Sequence, residues 1–364
     1  MLGKFTSSHI FLIPHWGPFV FAILTITLFL YGIEARIESL WLQKLKIENI
    51  FVGDASYAAF YAHRDENINL KSVVMIGGSV TREASLRDDE MEQLFYTKSG
   101  QHFQFLNLGS SDQSLLESAA ILKTLNLAPG SIVFIQISFK KLTYSRENLR
   151  EEYFRPRMAM LDYSMLNSFL SYSDIFMRLI TPKIILNRNP FHNMEKEKKC
   201  GHVDLLFDSS ACYYANEVIR HKYEKVETLS LDSKKKLANN MENTMLPAYL
   251  KNNQFSSQVL REIVTQLKAI NVTPILIEYP VSEVERPLDL HVRSETDYLQ
   301  KIAVLFSDVI YLDWALDPDF KVEDFVDLQH MLISGKQKLS NKLLNYIESN
   351  FFIKEICNEH SSCS

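Results

Sequence analysis

Five short apolar runs, each leading into a stretch with helical periodicity, constrain this chain's fold more than any other feature. Ser72–Ile76 (SVVMI), Phe103–Leu108 (FQFLNL), Ile132–Ile137 (IVFIQI), Thr273–Glu278 (TPILIE) and Val309–Asp313 (VIYLD) are rich in β-branched and aromatic residues. They are too short for buried helices and have the length of buried parallel strands. Helical patterning covers Arg87–Lys98, Gln113–Leu127, Val259–Ile270, Thr296–Phe306 and Ser334–Ile347. Leu115, Leu116, Ala119, Ala120 and Leu122 share one face of the second of these, and Leu339, Leu343, Leu344 and Ile347 share one face of the last. Apolar strands alternating with amphipathic helices imply a parallel sheet covered on both sides, and right-handed crossovers limit its topology. The expectation is an α/β fold: a flavodoxin-like three-layer α/β/α domain with a five-stranded parallel sheet in the order 2-1-3-4-5.

The alternation is interrupted over Leu142–Lys251, which is rich in Tyr, Met, Asn and charge and helical in places, for example Met158–Ile180. An insertion there, after strand three, is either a cap over the carboxyl edge of the sheet or a peripheral decoration. The charge runs Glu195–Lys199 and Lys234–Lys236 read as solvated faces.

The amino-terminal stretch has a different character. Phe5 through Ile33 holds no Asp, Glu, Lys or Arg. About 20 apolar residues span a bilayer core as a helix, and Gly17–Ile33 with part of Ile10–Trp16 has that length. Trp16 and Tyr31 fall where interfacial anchors would. Tyr31–Leu40 contains no small-x-small cleavage site, so the stretch reads as an uncleaved transmembrane helix. Lys4 precedes it and Arg36, Lys44 and Lys46 follow it, which does not favour an inside amino terminus. The expected organisation is an anchor over 1–36, a juxtamembrane linker over 37–70, the α/β domain over 71–350 with its insertion at 142–251, and a tail over 351–364.

Other classes are excluded by residue type. A net charge of −5 gives no reason to expect nucleic acid as a partner. The chain has neither a G-x-x-x-x-G-K-[ST] nor a G-x-G-x-x-G loop at Gly77, which leaves a nucleotide site without its phosphate cradle. Cys200, Cys212, Cys357 and Cys363 suit pairing within neighbours in an oxidising compartment. No C-x-x-C is present to suggest zinc, and no cofactor is expected. Gly53-Asp54-Ala55-Ser56 resembles a nucleophile motif but follows a poor strand and lacks a glycine to make the turn. Asn271-Val272-Thr273 fits a glycosylation site but directly precedes a core strand.

Two stretches carry chemistry. Gly77 and Gly78 follow the first strand and permit a tight turn. Ser79 comes next, at the carboxyl end of a strand, the usual ligand position in open α/β sheets. It either caps a helix or presents a reactive hydroxyl. After the last strand stands Asp327-Leu328-Gln329-His330. A carboxylate three residues before a histidine can fold back to orient the imidazole, whose other nitrogen takes a serine proton. A surface pair at that spacing is the competing reading, with His202, His221 and His291 as substitute bases.

Taken together, Gly77-Gly78-Ser79, Asn107-Leu108-Gly109 and Asp327-x-x-His330 before Gly335 resemble the SGNH (GDSL-like) hydrolase superfamily. The resemblance spans about Lys71–Ile137 and Val259–Ile347. In layout it is similar to the membrane-anchored DltD-like and O-acyltransferase-like members. It implies Ser79 as nucleophile, His330 as base and acid, Asp327 as its orienting partner, and the amides of Ser79 and Gly109 as oxyanion donors. The family's third block, Gly-x-Asn-Asp after strand three, is absent: the chain reads Gln136-Ile137-Ser138-Phe139-Lys140-Lys141 there. The implied function is a membrane-anchored serine esterase or O-acyltransferase on the extracytoplasmic side. It would act on acyl esters of envelope carbohydrate or polymer, with an envelope-assembly acyl-transfer partner. The alternative is an inactive scaffold that binds glycans or partners.

Overall fold

A computed structural model describes residues 71–110, 113–125, 127–145 and 229–352, with positions 21, 22 and 25 in addition. The strands are β1 (Ser72–Ile76), β2 (Gln104–Asn107), β3 (Ile132–Gln136), β4 (Thr273–Glu278) and β5 (Ile310–Asp313). The helices are α1 (Asp88–Ser99), α2 (Leu115–Thr124), α3 (Leu231–Ala269), α4 (Arg286–Glu295), α5 (Tyr298–Leu305) and α6 (Ile333–Ile347). All pairings are parallel and the strand order is β2-β1-β3-β4-β5, as the alternation predicted.

Successive strand residues face opposite ways, so each strand feeds two cores. Val74, Ile76, Leu106, Val133, Ile135 and Leu276 pack with α2, α3 and α5 on one side. Val73, Met75, Phe105, Phe134, Ile275 and Ile277 pack with α1 and α6 on the other. Each fully buried Leu or Ile of α6 (Leu339, Leu343, Ile347) contributes about 1.5–3 kcal/mol. β1 and β3 are neighbours in space while the chain departs from them in opposite directions, to β2 and to β4. Their carboxyl ends therefore border the crevice where ligands collect in open α/β sheets.

Two expectations need correction, and one helix is added. The insertion's boundary at 251 falls inside one continuous helix, α3, whose buried face runs from Tyr249 through Ser256, Leu260 and Ile263 to Leu267. α4 is a helix that the sequence reading did not include; it buries Leu288, Asp289 and Val292. Lys234, placed on a solvated face, is buried, and its ammonium donates to the carbonyls of Phe325 (3.0 Å) and Val322 (3.3 Å). Among the described residues no helix is long and apolar enough to cross a membrane. The expected span, Gly17–Ile33 with part of Ile10–Trp16, lies outside them except at Phe21, Ala22 and Thr25. The four cysteines and most of the insertion also lie outside the described residues.

Candidate active site

β1 ends at Ile76 and the chain turns at Gly77 and Gly78 into a single helical turn, Ser79–Arg82. Gly77 is required by crowding: a Cβ there would lie 2.2 Å from Thr81 Oγ1 and 2.5 Å from Gln136 Cβ. The residue at the cap position is Gly78, with no side-chain cap bond, so Ser79 does not serve as a helix cap. Its hydroxyl instead lies 2.7 Å from His330 Nε2.

His330 Nδ1 is 2.7 Å from Asp327 Oδ2. Asp327 Oδ1 accepts the backbone N–H of Gln329 and of His330, each at 2.9 Å. Burial opposes the charge on Asp327, yet these bonds and the imidazole outweigh it and hold the carboxyl down to about 2. An ionised Asp327 only accepts, so in a neutral imidazole Nδ1 carries the proton and Nε2 accepts from Ser79. The structure thus brings Ser79, His330 and Asp327 into one line of hydrogen bonds across 251 residues of sequence separation.

The loop that holds the pair is itself fastened. Phe325 and Met331 form an antiparallel bridge, and Val326 N–H donates to His330 O at 2.9 Å. Gly335 permits close approach, since a Cβ there would lie 2.7 Å from Asp324 O. Lys234 grips the same loop from α3; burial lowers its pKa, and the nearby Asp327 carboxylate works the other way.

On the other side, the Ser79 turn is tied down at several points. Asn107, fully buried, donates to Thr81 O (2.9 Å) and to Ser85 Oγ (2.8 Å). Glu83 is buried between Arg82 (3.0 Å) and Lys336 (2.7 Å), which joins the turn to α6. Gly109 packs against the turn, where a Cβ would lie 2.4 Å from Arg82 N. Its amide, however, donates to Asn107 Oδ1 at 3.1 Å. That corrects the reading of Gly109 as an oxyanion donor: the N–H is committed inside the protein.

Gln136 and Lys141 are parts of the site that motif reading missed. Gln136 Oε1 accepts from Gly78 N (2.7 Å) and Thr81 Oγ1 (3.0 Å). Lys141, in the 3-10 turn Phe139–Thr143 after β3, donates to Gln113 O at 2.5 Å and lies against Gly78. No local signal marks either residue. Only the position after strand three, where the third block is expected, points to them.

A cavity opens beside the site, with Val80 and Gln329 among its walls, next in sequence to Ser79 and His330. Glu278, Glu285 and Asp289 also line it. Lys140 and Gln329 both bond Glu285 Oε1, leaving Oε2 without a partner. Arg293 joins Glu278 (2.8 Å), Asp289 (2.6 Å) and Asp313 (2.5 Å). His291 is removed from the line of bonds, on α4 beside Glu242, while His202 and His221 lie outside the described residues. Among the described residues no group of three or more His, Cys, Asp or Glu side chains could hold a metal ion.

No family model matches the chain, and no curated protein matches its sequence. Among solved structures it is similar to one from Bacteroides fragilis described as a "putative acylhydrolase". The two are 10% identical, with a TM-score of 0.32, over 80% of this chain and 95% of that one. A likeness that weak says nothing about chemistry.

Proposed function

We propose that this chain is a serine esterase or O-acyltransferase of the SGNH type, working through an acyl-enzyme at Ser79. The observation that carries this reading is the line Ser79 Oγ, His330 Nε2, His330 Nδ1, Asp327 Oδ2, with both gaps at 2.7 Å. Nucleophile and base within hydrogen-bond reach, the base oriented by a third group, is the arrangement nucleophilic catalysis needs. Ser79 Oγ adds to the ester carbonyl as its proton passes to His330 Nε2. Asp327 stabilises the imidazolium without taking the proton. The same proton then goes to the departing alkoxide, leaving the acyl group on Ser79. A water or carbohydrate hydroxyl, deprotonated by His330, takes the acyl group in the second half.

The charge-free run Phe5–Ile33 supports a membrane anchor. An anchored enzyme of this type fits acyl esters of envelope carbohydrate or polymer on the extracytoplasmic side, served by an acyl-transfer partner. The committed Gly109 amide favours a second reading, an inactive scaffold that binds glycans.

Labelling with a fluorophosphonate separates the two. The wild type is expected to label and Ser79→Ala not to, with both proteins folded by circular dichroism. A folded wild type that resists labelling across pH 6–9 and hydrolyses no p-nitrophenyl acetate sinks the enzyme reading.

A further inference from the structure

An acyl-transfer site needs preorganised donors where the carbonyl oxygen gathers charge. Here the expected set is short. The Gly109 amide is spent on Asn107 Oδ1. Gln136 meets the Ser79 turn through its side-chain oxygen, which accepts from Gly78 and Thr81, so it acts there as an acceptor. No asparagine follows β3. Lys140 has its charge matched by Glu285 in an ion pair.

We propose that Lys141 is a catalytic residue whose ammonium stabilises the oxyanion formed at Ser79, the part an asparagine side chain would otherwise play. Its position carries the inference. β3 ends beside β1, and the turn that follows has Ser138 at its start, accepting the Lys141 N–H through Oγ (3.3 Å) and through its carbonyl (3.0 Å). That turn sends the side chain back to Gly78, in the turn that carries the nucleophile. Lys141 Nζ comes within 2.6 Å of where a Cβ on Gly78 would stand, one residue before Ser79. The Gln113 carbonyl, at the start of the segment leading into α2, receives one of its hydrogens at 2.5 Å and fixes the head. The ammonium is therefore lodged between the two loops that leave β1 and β2. Its attraction for an oxyanion is a matter of charge at close range and needs no vacant N–H.

The step balances simply. Ser79 Oγ forms its bond to the carbonyl carbon while its proton moves to His330 Nε2, and the carbonyl π pair moves onto oxygen. The alkoxide then sits beside Lys141 and the Ser79 amide. Collapse returns the pair to the carbonyl and expels the alcohol with the proton from His330. Gly78 thereby gains a reason to be glycine: a side chain there would push the ammonium away.

This inference rests on the serine-enzyme reading, and the test keeps the two apart. Hydrolysis of p-nitrophenyl acetate by the full chain is measured for wild type, Lys141→Met, Lys141→Arg and Gly78→Ala, with thermal melting of each. Lys141→Met is expected to lower kcat about 100–1000-fold with KM within about threefold. Binding of a boronic acid, whose tetrahedral adduct on Ser79 bears the same oxyanion, should weaken in parallel. Lys141→Arg should recover part of the loss, a rescue that a packing role would not give. Gly78→Ala should fall similarly, and adding Lys141→Met to it should cost little more. A folded Lys141→Met or Gly78→Ala with wild-type kcat and boronate affinity overturns this inference and leaves the serine-enzyme reading standing. A wild type without turnover defeats both.

Discussion

Gly78 donates its backbone N–H to Oε1 of Gln136 across 2.7 Å, which ties the turn carrying Ser79 to the end of the adjacent strand. Thr81 Oγ1 donates to the same oxygen at 3.0 Å. One side-chain carbonyl thus holds both ends of the Ser79 turn, in a place only 6% exposed. Gln136→Leu would leave two buried donors without an acceptor, at about 1–3 kcal/mol each. The expected result is a lowered Tm together with slower fluorophosphonate labelling of Ser79, and Gln136→Glu, which keeps an acceptor oxygen, should label faster than Gln136→Leu. A Gln136→Leu protein that melts and labels like wild type would show that the turn holds itself.

Asp327→Asn keeps the size of the side chain and removes the charge that orients His330. In a well-studied protease the equivalent change costs about 10⁴ in kcat by favouring the wrong tautomer. A loss of about 10³–10⁴ is expected here, with little change in Tm. Asp327 is depressed to about 2, so its contribution is present above the ordinary carboxyl range and fades only as pH falls through about 2. Kinetics of the wild type between pH 3 and 5 should therefore show no step that Asp327→Asn abolishes; such a step would contradict the assigned charge state.

Lys234 bonds the carbonyls of Phe325 and Val322, just ahead of Asp327 and His330. Lys234→Met removes both bonds and a positive charge near Asp327. The expected outcome is a Tm several degrees lower and labelling of Ser79 slowed by about tenfold, on the scale of one or two lost bonds to a charged donor. Hydrogen exchange at Val326 and Leu332, whose amides bond within this loop, should rise in the variant. Unchanged exchange there would mean the loop is held without Lys234.

What could be read from the chain alone divides along physical lines. The strands were legible within a residue or two, because a buried parallel strand writes its burial locally as a β-branched run, as in Ser72–Ile76 and Thr273–Glu278. Ser79, Asp327 and His330 stood out because each sits in a short pattern of its own. Gln136, Lys141 and Lys234 were invisible because their partners are remote: Gly78 lies 58 residues from Gln136, and Phe325 lies 91 from Lys234. A lysine in a charged run looks solvated until distant carbonyls meet it. α4 was locally legible, with Leu288 and Val292 one turn apart on its buried face, but its ion pairs from Arg293 to Glu278 and Asp313 are remote in sequence. The Gly109 amide misled in the opposite sense: the motif marks the residue, but only the fold reveals that Asn107 takes its hydrogen.

Glu278 makes that hidden network measurable through pH. Burial raises its carboxyl from an ordinary 4.5 to about 7, against the pull of Arg293 and the Tyr298 hydroxyl. The folded protein therefore holds a proton there that the unfolded chain has released between pH 4.5 and 7. More protons bound in the folded state means stability falls as pH rises, by up to about 1.4 kcal/mol per pH unit for one group. The gain is present below about 4.5 and gone above about 7. Urea unfolding across this window should show stability declining with pH in wild type and a flatter profile in Glu278→Gln. The comparison of slopes isolates the titration from any pH-independent change in packing that the substitution brings. Equal slopes in the two proteins would assign the proton to another group, with Glu285 and Asp289, both also raised first by burial, as the next to replace.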